Sequence, residues 1–499
     1  MRNTHSPSDP KCAASRGDAA AAHFLCVLLG ALIILSACAT NPVSGRRELS
    51  LVSSSQEIAM GREGAEEVAR SIGIYPDGAL QGYVANIGKK MAANSERPDL
   101  PWSFAVVDDP SVNAFALPGG YIFVTRGMLA HMNSEAQLAA VLGHEIGHVT
   151  AKHSVSQISR AQLTQLGLGV GYVLSEDLRR IGGLADTGLG LLFLKFGRDD
   201  ENQSDELGFR YALASGYDPR EMVPVFETLD RVSASSGAER LPQWMSTHPN
   251  PGNRVARTEE RLRNASHPAS GLRVGRDDYL GYLDGLTFGA DPRLGYFKGS
   301  AFYHPKMAFR LTFPDGWKTN NGVNAVVGVS PQEDAAIELS LAGNEPPAAA
   351  VAKFLTREGM AAGSTSTAAI NDLSAAMAPF SYTSSQGVLA GRVAFIALDG
   401  KTFRILAYGS EQGEERNRKA MHVTLTSFRR LTDRGALAVQ PATLELITLD
   451  RAMTMEEFNQ RYPSTVPLET VALLNGRLEV ERVPKGTRLK RVKGGTLPG

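Results

Sequence analysis

His144-Glu145-Ile146-Gly147-His148 sets two imidazoles four residues apart with a carboxylate between them. On a helix that spacing is about one turn, so both rings can reach one zinc ion while the glutamate polarises water beside it. The chemistry would be metal-assisted hydrolysis, with His144 and His148 as ligands and Glu145 as general base. A zinc hydrolase needs a third protein ligand and an open fourth position. The best candidate is Glu201, in Glu201-Asn202-Gln203-Ser204-Asp205. Asp205 falls one turn further along the same face, where it could orient a histidine ligand through its other ring N–H.

These residues need two helices. Ser134-Glu135-Ala136-Gln137 has the form of a capping box and starts the first. Leu138, Val141, Leu142, Ile146 and Val149 follow at helical spacing as a core-facing stripe, with Glu145 inside it and the histidines at its edge. A carboxylate buried there needs a cation. The acidic run Asp199-Asp200-Glu201 opens the second helix. Its Ser204, Gly208, Ala212 and Ser215 form a groove of small side chains that can press against the first.

Trp102 to Val107 alternates like a half-buried strand, and Tyr121 to Thr125, opened by Pro118-Gly119-Gly120, reads as a second. An edge strand beside the metal would hold an extended peptide by backbone hydrogen bonds, selecting unfolded segments over a particular sequence. A structural hairpin is the plainer reading, and the two are compatible. If the first helix continues, His153 points about 140° away from His148, as a structural or surface histidine. Between the helices, Leu163 to Phe196 is rich in glycine and leucine. Glu176, Asp177, Arg179 and Arg180 break it too often for a membrane span. It reads as a lid or as packed helices.

His-Glu-x-x-His with a downstream Glu-x-x-(Ala/Ser)-Asp resembles the gluzincin peptidases related to the CAAX prenyl endoprotease, the heat-shock protease HtpX and the mitochondrial protease Oma. Asn113 to Gly120, and Thr247-His248-Pro249 followed by Arg254, are similar to the soluble periplasmic, BepA-like branch. The resemblance spans residues 40–265. It implies one zinc ion per chain on His144, His148 and Glu201, with Glu145 as base and Asp205 behind a ligand. It implies a substrate strand involving Asn113, Phe115, Gly119 and Gly120. His248 would either approach the zinc and hold the enzyme quiet or, as Arg254 also could, stabilise the transition state.

Arg2, Lys11 and Arg16 precede an apolar run from Ala19 to Leu35, the form of a secretory signal. Leu35-Ser36-Ala37-Cys38 resembles the bacterial lipobox, which implies a signal peptide over 1–37 and a lipid anchor on Cys38. Ala39 is not the aspartate that commonly retains lipoproteins in the inner membrane, so the expected site is the periplasmic face of the outer membrane of a Gram-negative bacterium. An uncleaved anchor is the alternative. Cys12, Cys26 and Cys38 are the only cysteines, so a chain maturing at Cys38 has no disulfide and no Cys-based zinc site. Lys plus Arg equals Asp plus Glu at 52 each, which gives no basis for a nucleic-acid partner.

The expected fold class is α+β. A mainly helical, gluzincin-type metalloprotease domain with a small sheet covers 38–265. A Gly- and Asp-rich connector covers 266–300, an α+β accessory domain 301–432, and a small βααβ module 440–493. In the accessory domain Val393 to Ala397 and Phe403 to Tyr408 flank Asp399-Gly400, a hairpin signal. It carries no catalytic constellation and resembles small PsbP-type folds. In the last module Phe458, Tyr462, Leu468, Leu473, Leu474 and Asn475 are similar to the core of a LysM domain, which implies peptidoglycan as a partner. Arg451-Ala452-Met453 replaces the usual Gly-Asp-Thr opening. No helical repeat of about 34 residues is present. The expected function is zinc-dependent cleavage of unfolded or misfolded envelope proteins. The alternatives are a chaperone or cell-wall-binding lipoprotein whose metal site stays closed, and a structural zinc protein.

Overall fold

The structure, a computed structural model, describes residues 38–165, 194–235, 244, 247, 248, 253–264, 271–322, 324–357, 359–384 and 387–497. The signal-like segment 1–37 and most of the Gly- and Leu-rich stretch, 166–193, lie outside the described residues, as do the signal and lid readings placed on them.

Strands β1 (Cys38–Thr40) and β2 (Arg47–Leu49) pair antiparallel and lead into helices α1 (Ser54–Ser71) and α2 (Gly78–Ala92). A small sheet follows: β3 (Ser103–Val107), β4 (Ala114–Leu117) and β5 (Tyr121–Thr125), in the order β3-β5-β4. The two strands expected from alternation, β3 and β5, run parallel and are not a hairpin. The hairpin partner of β5 is the edge strand β4. Gly119 and Gly120, at φ of +76° and +100°, make the reversal. A Cβ on Gly119 would stand 2.7 Å from the Ile58 Cα, so this turn also seats α1.

The centre is α4 (Glu135–Thr150), reached through the short α3 (Arg126–His131). Ser134 caps α4, and all its residues are buried. Leu138, Val141, Leu142, Ile146 and Val149 join residues of α2 and of α6 (Arg198–Ala214) and α7 (Met222–Ser235) in one core. Before α6 comes α5 (His153–Gln165), and after α7 comes α8 (Arg254–Asn264). The expected small-residue groove is where α6 meets α4. A Cβ on Gly208 would lie 2.9 Å from the His144 backbone nitrogen, and one on Gly147 3.0 Å from the Ser204 Cα. The close approach therefore needs glycine on both helices.

Residues 271–300, within the stretch read as a connector, are folded. Helix α9 (Arg276–Leu283) buries Tyr279, Leu280 and Leu283 in the protease core, and β6 (Thr287–Phe288) pairs with a strand of the C-terminal module. Next, β7 (Tyr296–Lys298), β8 (Ala301–His304) and β9 (Phe309–Thr312) begin a four-stranded antiparallel sheet.

A larger, eight-stranded sheet holds β10 (Lys318–Asn321), β11 (Ala325–Val329), β12 (Ala335–Gly343), β13 (Met360–Ala362), β14 (Ser366–Ile370), β15 (Leu373–Ser384), β16 (Gly387–Leu398) and β17 (Lys401–Ser410). Helix α10 (Pro347–Leu355) covers one face over Phe380, Val393 and Phe395; α11 (Glu411–Ser427) covers the other over Ile337, Phe403 and Ile405. Neighbouring residues Val393 and Ala394 belong to opposite cores, as strand alternation requires. Asp399 and Gly400, both at positive φ, form the expected hairpin between β16 and β17. Strand β18 (Arg429–Arg430) returns to the four-stranded sheet beside β9.

After α12 (Arg434–Leu437) comes the last module: β19 (Ala442–Thr448), β20 (Met453–Thr454), α13 (Met455–Arg461), α14 (Leu468–Leu474), β21 (Arg482–Val483) and β22 (Arg488–Gly494). β19 and β22 pair antiparallel, giving the expected βααβ order. Leu444, Leu474 and Val492 join the protease core. The fully buried Lys490 donates to the carbonyls of Ala130 and Met132, next to the start of α4. Among the described residues no helix is long and apolar enough to cross a membrane.

Candidate metal centre

His144 and His148 stand one turn apart on α4, and α6 brings Glu201 to them. His248 approaches from a separate segment, and all four offer ligand atoms within 4.8 Å of one another. The Nε2 atoms of His144 and His148 are 3.0 Å apart. The Glu201 carboxylate lies 3.4 Å from each of them, through Oε2 and Oε1 respectively. His248 Nδ1 is 3.0 Å from Glu201 Oε1 and 3.3 Å from His144 Nε2. None of the four is more than 2 % exposed.

The other ring nitrogens fix the tautomers. His144 Nδ1–H donates to Asp205 Oδ1 at 2.9 Å. Asp205 is gripped by Arg254, whose Nε and Nη2 donate at 2.9 and 2.5 Å while its guanidinium lies 4.1 Å over the Phe226 ring. His148 Nδ1 is 2.9 Å from His153 Nδ1, and His153 Nε2 is 2.9 Å from Gln203 Oε1. The amide oxygen of Gln203 can only accept, so His153 donates to it and receives the Nδ1–H of His148. As neutral rings, both α4 histidines present bare Nε2 lone pairs to one point, the arrangement of a metal ligand pair.

Electrostatics agree. Burial opposes a charge on His144, but Asp205 and Glu201 outweigh it and raise its pKa to about 9; their field favours any cation at Nε2. Burial keeps His148 neutral, well below the usual histidine range. Burial also opposes ionisation of Glu201, yet His248 and His144 hold it well below the usual carboxylate range. Its Oε2 is buried without a hydrogen-bond partner. Glu145 is fully buried and neither of its oxygens has a hydrogen-bond partner; His248 Nε2 lies 3.6 Å from Oε1. Burial pushes the Glu145 carboxyl up. An isolated carboxylate in such a place is strongly disfavoured. A divalent cation among these donors satisfies the bare nitrogens and the Glu201 oxygen together, so the residues fit a metal ion.

Some expected positions move. Arg254, a candidate transition-state donor, has its Nε and Nη2 committed to Asp205 and supports His144 from behind. His153 is neither on a continuing helix nor at the surface. Helix α4 ends at Thr150 with Ala151 as its cap, Lys152 takes a left-handed φ of 59°, and α5 starts anew at His153, whose ring meets that of His148. Of the substrate-strand residues, Phe115 stacks on Phe123, while Gly119 and Gly120 form the turn into β5. Asn113, just before the edge strand β4, keeps a buried Oδ1 with no partner. Cys38 lies in β1, opposite Leu49.

Three residues escaped the sequence reading. Phe196 stacks on His148 at 3.9 Å, and Trp244 stacks on His248 at 4.3 Å with the rings 18° apart. Gln203 completes the His148 relay. Only Gln203 carried a sequence signal, its place inside the Glu201–Asp205 motif.

The model of peptidase family M48 matches residues 79–262, which include every residue of this centre. The mitochondrial metalloendopeptidase OMA1 of Schizosaccharomyces pombe is 32% identical over 231 residues, 45% of this chain and 66% of its own. The beta-barrel assembly-enhancing protease of Escherichia coli K12 is 30% identical over 234 residues, 44% of this chain and 47% of its own. The chain thus spans less than two thirds of the length of either. Cyanobacterial PsbP from Synechocystis matches 27% of this chain and 95% of its own at 11% identity; the TM-score of 0.23 does not establish a shared fold.

Proposed function

We propose, from the premise that residues 79–262 are a domain of peptidase family M48, that this chain is a zinc-dependent endopeptidase. The observation that carries the reading is Glu145, a buried carboxylate with no partner, set beside the converging His144, His148 and Glu201. Those three would hold the ion. Zinc bound there supplies a Lewis acid for the scissile carbonyl and acidifies water. Glu145 takes a proton from water and passes it to the leaving amine; its raised pKa suits a group that must do both. Asp205 with Arg254, and His153 with Gln203, keep the two histidines in their ligand tautomers. Asn113 Oδ1 and the edge of β4 align the substrate backbone.

His248 is best read as an occluding group. Its Nδ1 stands among the ligand atoms and its Nε2 beside Glu145, where substrate and water must come, and Trp244 braces it there. The described arrangement is a closed, resting form that opens when His248 leaves.

For substrate and place, the reading is unfolded or misfolded envelope proteins at the periplasmic face of the outer membrane, with the chain anchored by lipid on Cys38. The lipobox-like Leu35 to Cys38 and the similarity to the beta-barrel assembly-enhancing protease of E. coli support it. Peptidoglycan is a candidate partner of the C-terminal module. The second reading, a chaperone with a permanently closed site, is favoured by the position of His248 alone. Metal content and casein cleavage separate the two. Wild type should bind one zinc per chain and lose cleavage to a chelator until zinc is restored. Glu201→Gln should lose both zinc and cleavage. A folded wild type that holds zinc yet never cleaves supports the second reading.

A further inference from the structure

The outer face of the four-stranded sheet carries Tyr296, Tyr303, Arg310 and Arg429 directly opposite one another across β7, β8, β9 and β18. The inner face of the same strands, with Phe302, Phe309 and Leu311, is sealed in the accessory core. The row borders a cavity of about 290 Å³ that Lys298 and Asp433 also line.

Left to itself this row is unfavourable. Like charges directly opposite on neighbouring strands destabilise a sheet, and Arg310 and Arg429 are such a pair. Among the described residues neither pairs with a carboxylate, and Arg310 Nε is buried without an acceptor. Arg430, by contrast, is neutralised by Asp399. The Asp433 carboxylate is engaged in capping α12 through the Ala436 N–H. Arg310 and Arg429 against Asp433 leave a formal surplus of positive charge. The tyrosines fix one of the cations: Tyr296 and Tyr303 stack at 5.3 Å with rings 9° apart, and the Arg310 guanidinium lies 5.2 Å over Tyr303.

We propose that this cavity binds a phosphate group, with Arg310 and Arg429 as its principal donors. An anion answers the surplus charge, and two guanidinium forks on directly opposed residues suit phosphate oxygens. A soluble phosphate ester and a phospholipid headgroup share that chemistry.

The test uses the full chain. Inorganic phosphate is titrated calorimetrically at constant ionic strength with chloride as control, into wild type, Arg429→Gln and Arg310→Gln. Arg429 is exposed, so its substitution leaves the fold intact. Vesicles of phosphatidic acid in phosphatidylcholine are co-sedimented in parallel. Saturable phosphate binding, weakened tenfold or more in Arg429→Gln, is the expected result and points to a soluble ester. Sedimentation with phosphatidic acid alone, lost in Arg429→Gln, also upholds the pocket and points to lipid. No binding in either arm, or binding equal in wild type and Arg429→Gln, overturns the proposal.

Discussion

Asp205 holds the Nδ1–H of His144 at 2.9 Å while Arg254 holds Asp205 through two N–H groups, so a metal-ligand tautomer is set from helix α8. Asp205→Asn should lower zinc affinity about 10- to 100-fold, read by competition with a chromogenic chelator. Arg254→Lys should not restore wild-type affinity, because an ammonium cannot reproduce the two-point grip. Arg254→Ala strips a buried carboxylate of its guanidinium partner and should cost up to about 3–5 kcal/mol in denaturant unfolding.

His248→Ala should keep zinc and raise the kcat for casein or a quenched peptide, because the group that fills the cleft is gone. A fall in kcat of about 100-fold or more would instead identify His248 as a transition-state donor. Trp244→Ala, which removes the brace but keeps His248 itself, should shift activity in the same direction by less.

Gly208→Ala should loosen the contact of α6 with α4. Its Cβ would meet the His144 backbone at 2.9 Å, so the helices must separate. The expected cost is about 1–3 kcal/mol of stability. Zinc affinity should fall with it, since Glu201 moves away with α6. Gly281→Ala, on α9 where a Cβ meets nothing within 4 Å, is the control that should lower neither.

Acid should weaken the fold through His131. Burial, and then the neighbouring Lys490, depress its pKa from 6.5 to about 4, although the Gly127 carbonyl pulls the other way. Above pH 6.5 both states are neutral and nothing is lost. As pH falls from 6.5 toward 4 the unfolded chain takes up a proton that the folded chain refuses, so stability drops by about 3 kcal/mol. A flatter Tm-against-pH curve for His131→Gln over that window checks it.

The two helices that carry the centre were legible because each has a cap signal and an uninterrupted stripe: Ser134 with Leu138 to Val149, and Asp199 to Glu201 with Ser204 and Gly208. What stayed hidden had no local mark. The break at Ala151-Lys152 contains neither glycine nor proline, so His153 was carried onto the wrong helix. Ala114-Phe115-Ala116-Leu117 is short and uniformly apolar, and its strand character comes from β5 beside it. The short apolar face of α9 is submerged in Gly- and Asp-rich surroundings. Trp244 and Phe196 matter only through rings distant in sequence. Lys490 reads as a surface charge, yet the ends of α3 and α14 enclose it.

Glu145→Gln tests the central claim most directly, because the change removes the base and leaves every proposed ligand in place. The account predicts one zinc per chain in both proteins and casein cleavage about 10²- to 10⁴-fold lower in the variant. Cleavage by Glu145→Gln at the wild-type rate, with zinc retained, would contradict it.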